Sequence, residues 1–269
     1  MKTNPSITIV IPVFNEANHL KRCLSAIATQ TILPTEIIIV DNNCTDNSVA
    51  VARSFSGVRV VREHKQGIVY ARNSGFDAVT SDIIARIDAD TVLPKDWIAS
   101  VLAFYALAAN TNNALTGGGY FYNVRMSRFN GWLQGQIAFR MNRLIIGHYI
   151  LWGSNMAMTR EQWHKVRQQV CDRDDLHEDI DLAIHLQRAG YKITYHESLR
   201  VGVKLKRVWE QRWEQRKHLA RWPRTLRVHG YSRWWFGSIG NVLLAVVGEP
   251  YIVVSEAIAR LFRRSRLPQ

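Results

Sequence analysis

Cysteine is scarce in this 269-residue chain and is arranged neither for bridging nor for a metal knuckle. Cys23, Cys44 and Cys171 are odd in number, widely spaced and free of any C-x-x-C pair, so a disulfide framework is not indicated and a reducing compartment fits. Acidic residues are also in deficit, with 22 Asp and Glu against 35 Lys and Arg, for a formal net charge of +13. Such an excess says nothing about fold but points to a polyanionic partner: a phosphorylated substrate, an anionic membrane surface or nucleic acid. The N-terminus, MKTNPSITIV, carries one Lys and then enters a strand-like alternation without an apolar h-region or cleavage site, so it does not read as a signal peptide. Internal repeats and low-complexity tracts are lacking. So are the dinucleotide and P-loop glycine fingerprints, because the triplet Gly117-Gly118-Gly119 has the spacing of neither and reads as a strand bulge or turn.

What is present is a regular alternation of short apolar strands with amphipathic helices. Ser6 to Val13 is a strand ending in Pro12-Val13-Phe14-Asn15-Glu16, and Ala17, Leu20, Leu24 and Ile27 then recur at helical spacing. Glu36 to Val40 is a second strand, leading into Asp41-Asn42-Asn43-Cys44-Thr45-Asp46, where Thr45 or Asp46 is placed to cap the next helix. Val58 to Val61 is a third strand, and Gly67 to Val79 a helix bearing Arg72 and Asn73. A helix with Trp97, Ile98, Val101, Leu102 and Tyr105 on its apolar stripe follows Pro94. Ile150 to Thr159 is strand-like with a Gly-Ser-Asn interruption, His177 to Gly190 is a helix with an acidic start, and Tyr191 to Tyr195 returns as a strand. This order predicts an α/β fold with a mostly parallel sheet, whose ligands gather at the carboxyl ends of the strands.

The stretch SDIIARIDADT, Ser81 to Thr91, occupies such a place. If the strand continues through it, Asp88 and Asp90 project to one side with Ala89 on the other, a cation site in outline. Two carboxylate oxygens suit a hard cation such as Mg²⁺ or Mn²⁺ that also holds substrate phosphates. Taken alone, an Asp-x-Asp is more often a solvated turn.

Near Lys204 the chain changes character. Between Lys204 and Arg227 basic residues greatly outnumber Glu210 and Glu214 and are interleaved with Trp209, Trp213 and Trp222. Trp234 to Val254 is then apolar, interrupted by Asn241, Glu249 and Pro250, and a basic run from Arg260 to Arg266 follows. Aromatic and cationic residues flanking apolar segments suit an in-plane or re-entrant interfacial element on an anionic membrane better than a full span. A nucleic-acid groove would give no reason for the apolar segment.

Four of these features, Pro12 to Glu16, Asp41 to Asp46, Ala71-Arg72-Asn73-Ser74-Gly75 and Asp88-Ala89-Asp90, resemble in order and spacing the family 2 inverting glycosyltransferases of the GT-A fold. The resemblance extends through Gly153-Ser154-Asn155-Met156-Ala157 and Glu178-Asp179-Ile180-Asp181-Leu182, covering roughly residues 6–200. It implies a GT-A domain over 1–203, with a nucleotide-binding half at 1–110 and an acceptor half at 111–203, after which the basic, Trp-rich and apolar residues make 204–269 a membrane-associating helical extension. It further implies a nucleotide-sugar pocket of Pro12, Phe14, Asn15, Glu16, Asp41, Arg72 and Asp88, and a divalent cation, Mg²⁺ or Mn²⁺, on Asp90 with Asp88 nearby. Asp179 would be the base, and Trp152, Gly153, His177, Glu178, Arg221 and Trp222 would lie toward the acceptor.

Other roles are open to several of these residues. Asp41 alone suits a turn or cap, and Glu178, Asp179 and Asp181 alone suit the positive end of a helix, although their crowding can raise a carboxylate toward a useful base. Processive members of the family carry Q-x-x-R-W, whereas this chain has His218-Leu219-Ala220-Arg221-Trp222, which argues against a processive polymerase. The expected activity is transfer from a UDP-type nucleotide-sugar to a lipid-linked or saccharide acceptor at the cytoplasmic face of the membrane, by a peripheral or monotopic enzyme without a nucleic-acid partner. The alternative is a catalytically silent nucleotide-sugar or membrane-binding module of the same fold.

Overall fold

A computed structural model describes residues 5–122, 139–204 and 212–236, the side chains of 212–219 excepted. The expected apolar and basic segment from 237 onward, together with Trp209 and the side chains of Trp213 and His218, lies outside the described residues. Among those described, no helix is long and apolar enough to cross a membrane.

The chain runs β1 (Ile7–Val13), α1 (Ala17–Ala28), β2 (Glu36–Asp41), α2 (Ser48–Arg53), β3 (Val58–Arg62), α3 (Ile68–Asp77), β4 (Ile83–Arg86), α4 (Trp97–Ala106) and β5 (Asn113–Phe121). It continues through a helix at 139–146 (α5), β6 (Met156–Thr159), α6 (Arg160–Val166), α7 (Glu178–Arg188), β7 (Lys192–Val203) and α8 (Arg212–Val228). Among the described residues seven strands form one sheet in the order β3-β2-β1-β4-β6-β5-β7. The pairs β1–β2, β1–β4, β2–β3 and β5–β7 are parallel, while β6 is antiparallel to both β4 and β5. The fold is therefore the mixed, mostly parallel α/β sheet that the strand and helix alternation predicts.

Every residue of β1 is buried, because helices cover both faces of the sheet at this central position. On one face Ile7, Ile9, Ile11 and Val13 pack with Leu20, Leu24 and Ile27 of α1 and with Trp97, Ile98 and Val101 of α4. On the other, Val10 meets Ala71 and Phe76 of α3 in a cluster that also holds Trp163 of α6 and Leu182 and Leu186 of α7. Each aliphatic side chain so buried contributes about 1.5–3 kcal/mol. A Cβ at Gly75 would fall 2.5 Å from Val10 Cγ1, so the small residue in Ala-Arg-Asn-Ser-Gly is what lets α3 lie close on the sheet.

The glycine triplet is strand, with its register shifted between Gly117 and Gly119 in the pairing with β7. A Cβ at Gly117 would sit 1.9 Å from the Leu199 carbonyl oxygen and one at Gly119 would sit 2.5 Å from the Trp152 ring. Close packing under a bulge explains the triplet. The strand expected from Ile150 shortens to Met156–Thr159, because Gly153, Ser154 and Asn155 leave the ladder to make other hydrogen bonds.

Candidate active site

The parallel strands β1, β2 and β4 release their loops at one rim of the sheet. Two of the loops are sewn together by Asn15, which has a left-handed backbone (φ 54°) that Asn tolerates better than most residues. Its Oδ1 accepts hydrogen bonds from the backbone N–H of Thr45 (2.8 Å) and of Asp46 (3.3 Å). The N-cap of α2 is Asn47 and not Thr45 or Asp46, but the Asp46 carboxylate accepts from the N–H of Ser48 (2.9 Å) at the start of α2 and of Ala17 (3.1 Å) at the start of α1. Asp41, the last residue of β2, accepts from Cys44 N–H at 2.8 Å and so also shapes its loop. Pro12 is buried opposite Val40, whereas the Phe14 ring is 50% exposed at the mouth. The Glu16 carboxylate lies 2.6 Å from His19 Nδ1, and His19 Nε2 is 2.9 Å from Lys204 Nζ.

Strand β4 stops at Arg86, two residues before Asp88, which corrects the expectation that Asp88 and Asp90 alternate along a strand. They lie instead in a turn closed by Thr91 N–H donating to the Asp88 carbonyl at 3.0 Å. The next residue, Val92, makes an antiparallel bridge to Gly202 of β7. Asp88 points inward: one carboxylate oxygen accepts from the Ser154 hydroxyl and the other from Arg86 Nη2 at 3.3 Å. Asp90 has its carbonyl held by the Tyr122 hydroxyl (3.3 Å), and its charge acts on its surroundings. Burial pushes the Cys23 thiol up, with Asp90 and Asp88 pushing the same way. The Tyr122 phenol is raised by burial and by Asp90, against the Arg22 guanidinium stacked 4.1 Å from its ring. A negative field and hard oxygen donors thus coincide at this turn, the chemistry a hard divalent cation requires.

Arg86 organises the interior of the site. Its guanidinium is buried and donates from Nη1 to Asp179 Oδ1 (2.5 Å) and from Nη2 to Glu178 Oε1 (3.2 Å) as well as to Asp88. The second Asp179 oxygen accepts the Gly153 N–H at 2.7 Å. A Cβ at Gly153 would lie 2.5 Å from the guanidinium carbon, so only glycine lets that backbone approach. Burial pushes Asp179 up to about 6, with Glu178 and Asp88 adding to the rise and Arg86 and the Gly153 N–H opposing it. Desolvation, and only secondarily carboxylate crowding, is what lifts this group.

The other acidic residue of the turn behaves oppositely. Asp181 is held well below the usual carboxylate range, because its polar contacts with His185, His229 and Cys171 outweigh its burial. It faces away from Arg86, toward His229 Nε2 (2.8 Å) and Cys171 N–H (3.0 Å). Arg72 is fully buried behind the start of α7, where Nη1 donates to the Glu178 carbonyl (3.2 Å) and Nε to Asn73 (2.7 Å). As placed, it positions α7 and does not line the open rim. His177, at the N-cap of α7, donates its backbone N–H to the Thr225 hydroxyl oxygen at 2.8 Å, which ties α8 to the helix that carries Asp179. Burial holds the His177 ring below the ordinary imidazole value, against the pull of Glu178, with Arg86 and Arg221 pushing the same way as burial. Trp222 packs with Ile180, Ile184 and Leu226 between α7 and α8, and Trp152 packs over Gly119.

Three residues of the site carry no role in the sequence reading. Arg86 is the one charge in the buried run from Ile83 to Ile87, and a cation there required carboxylates to meet it. Ser154 anchors Asp88. Asn155 holds the Trp97 indole N–H (2.9 Å) and the carbonyls of Gly118 (2.9 Å) and Leu199 (2.7 Å), fixing β5, β7 and α4 about the turn. The signal for both was the polar interruption of a strand-like segment.

A family model for glycosyl transferase family 2 matches residues 8–166. Glycosyltransferase AglE of Haloferax volcanii is 32% identical over 103 residues, 36% of this chain and 34% of that protein. Glycosyltransferase SunS of Bacillus subtilis is 33% identical over 138 residues, 47% of this chain and 32% of its own. The chain thus matches about a third of the length of each relative. Among solved structures, the mannosyltransferase PcManGT from Pyrobaculum calidifontis in complex with GDP-Man and Mn²⁺ superposes with a TM-score of 0.62 at 18% identity, covering 99% of this chain and 77% of that one. GalNAc-T7 with UDP, GalNAc and Mn²⁺ gives 0.60 at 15% identity, covering 76% and 44%. These two similarities concern the fold, which is that of GT-A glycosyltransferases. Since the family model spans more than half of the chain and matches the strands and loops that build this rim, the protein belongs to glycosyl transferase family 2.

Proposed function

We propose that the protein is an inverting, metal-dependent glycosyltransferase that moves a hexosyl group from a nucleotide-diphospho-sugar, UDP-linked in the first instance, to a hydroxyl of a lipid-linked or saccharide acceptor. The observation that carries the proposal is Asp179: a buried carboxylate raised to about 6, oriented by Gly153 N–H and Arg86, at the rim that also bears Asp88 and Asp90. A base in that range is largely ionised at neutral pH and still takes a proton readily.

In the proposed reaction the acceptor hydroxyl oxygen attacks the anomeric carbon from the face opposite the nucleotide. The C–O bond to the diphosphate breaks, the diphosphate leaves with the electron pair, and the hydroxyl proton passes to Asp179. Arg86 and Gly153 N–H hold the carboxylate in place before and after that transfer. Glu178 and His177 flank the base on the acceptor side with Trp152, and Arg221 and Trp222 approach from α8. Asp41 accepts an N–H of the nucleotide base, Pro12 and Phe14 pack against it, and Asn15 and Glu16 complete that wall. Asp90, with Asp88 beside it, would hold a divalent cation, Mg²⁺ or Mn²⁺, whose chemistry there is to stabilise the charge growing on the leaving diphosphate. The ligands of the two structural relatives, GDP-Man with Mn²⁺ in one and UDP, GalNAc and Mn²⁺ in the other, are in keeping with a nucleotide-sugar donor and a metal.

Residues 1–110 would then serve the donor and 111–203 the acceptor. Residues 204–269 would hold the enzyme peripherally or monotopically on the cytoplasmic face of the membrane. Exposed Trp234, Trp235 and Phe236 beyond the basic α8 favour that placement. His218 in place of Gln favours single transfers over processive synthesis.

A panel of labelled nucleotide-sugars, incubated with the full chain, Mn²⁺ and a membrane extract as acceptor, tests the proposal. Transfer from one donor that stops with chelator is the expected result. Binding without transfer or hydrolysis across the panel would mean a silent module.

A further inference from the structure

On the side of α7 turned away from Arg86, four side chains from three separate segments converge. Asp181 and His185 stand one turn apart on α7, Cys171 lies in the loop before it, and His229 follows the end of α8. One ligand atom from each, the Cys171 Sγ, an Asp181 oxygen and a ring nitrogen of either histidine, falls within a sphere in which all lie within 4.8 Å of one another. Asp181 Oδ1 is 2.8 Å from His229 Nε2 and 3.5 Å from His185 Nε2, so both imidazoles aim the same nitrogen at one point. The His185 Nε2 is buried and has no hydrogen-bond partner among the described residues. The two rings meet edge to face with 5.0 Å between their centroids.

We propose that Cys171, Asp181, His185 and His229 form a zinc site that fastens α8 to the helix carrying Asp179. The donor set is one thiolate, two imidazoles and one carboxylate, which matches the tetrahedral N/S/O preference of Zn²⁺ and not the all-oxygen preference of Mg²⁺ or Mn²⁺. Bond lengths of about 2.0–2.3 Å place tetrahedral ligands roughly 3.5 Å apart, so the cluster closes on the ion by about an ångström. The protein-only network is incomplete at His185, whose Nε2 comes no nearer to Asp181 Oδ1 than 3.5 Å while His229 Nε2 lies at 2.8 Å. Only Asp181 and His185 are near in sequence, four residues apart, so no full spacing motif announces the set. The site is separate from Asp88 and Asp90, and the inference does not rest on sugar transfer.

The test uses the full chain, stripped of metal and titrated with Co²⁺ alone in excess Mg²⁺, which saturates the oxygen-rich turn. One equivalent should bind with a tetrahedral d–d spectrum and a thiolate-to-metal charge-transfer band, and Zn²⁺ should displace it. Cys171→Ser should remove the charge-transfer band, and His229→Ala should weaken Co²⁺ binding at least tenfold. Should either variant fail to fold, the unaltered chain decides: micromolar Zn²⁺ should raise its Tm by roughly 8 °C over the stripped form, and Mg²⁺ should not. Absence of the thiolate band in the unaltered chain, its persistence in Cys171→Ser, or a Tm indifferent to Zn²⁺ would overturn the proposal.

Discussion

Asp179 sits at the balance of two opposed effects, burial that favours its neutral form and Arg86 that favours its anion. Replacing it with Asn keeps the volume and removes the proposed base, so kcat should fall by about 10²–10⁴-fold. Donor affinity, measured by calorimetry, should change little. The pH profile follows from the same group: kcat/KM should rise as pH increases through about 6, where Asp179 ionises. The linked effect on stability has the opposite direction. A carboxyl raised from 3.8 to about 6 binds more protons folded than unfolded between those values, so this group lowers stability as pH rises across that window. Asp181 is depressed, so its contribution is present above about pH 4 and is lost on further acidification. Gly153→Ala would force a Cβ against the Arg86 guanidinium, an overpacking that costs about 1–3 kcal/mol. Its Tm should fall, and its acidic limb should shift because Asp179 loses its aligned N–H.

At the scale of elements, the β4 end, the 153–155 turn and the first turn of α7 act as one unit joined through the buried Arg86 guanidinium. Arg86→Met would leave Glu178 and Asp179 buried without it, costing about 3–5 kcal/mol, readable as a denaturant midpoint shift at unchanged m. The surviving fold should show its acidic limb moved to higher pH, since the group that favours ionised Asp179 is gone. Much of this architecture was legible beforehand. The strands β1, β2 and β4 announce themselves by buried β-branched runs, and α7 by its acidic start and the Gly190 stop. The turn at Asp88 was not, because side-chain alternation cannot tell where a ladder ends, and the β4 ladder ends where its antiparallel partner β6 begins, at Met156. Nor could a linear reading show that Glu178, Asp179 and Asp181, neighbours in one turn, serve two different sites. Arg72 is similar: Ala-Arg-Asn marks α3 correctly, but only the three-dimensional packing puts its guanidinium behind α7.

For the whole molecule, the +13 charge and the aromatic residues at the described end of the chain make membrane attachment a measurable property. The full chain should bind vesicles containing anionic lipid and release them as salt is raised from about 0.05 to 0.5 M, while neutral vesicles bind weakly. Salt-insensitive binding would indicate that charge is not the attachment. The assignment of Asp179 as base within a donor site built by β1, β2 and β4 is tested most directly by one paired measurement. The unaltered chain and Asp179→Asn are compared for transfer of a labelled sugar from the active nucleotide-sugar at pH 7.5, with donor dissociation constants taken on the same preparations. The predicted result is a loss of transfer of at least about 100-fold at near-equal donor affinity. Normal turnover by Asp179→Asn, with its donor bound as tightly, would contradict the assignment.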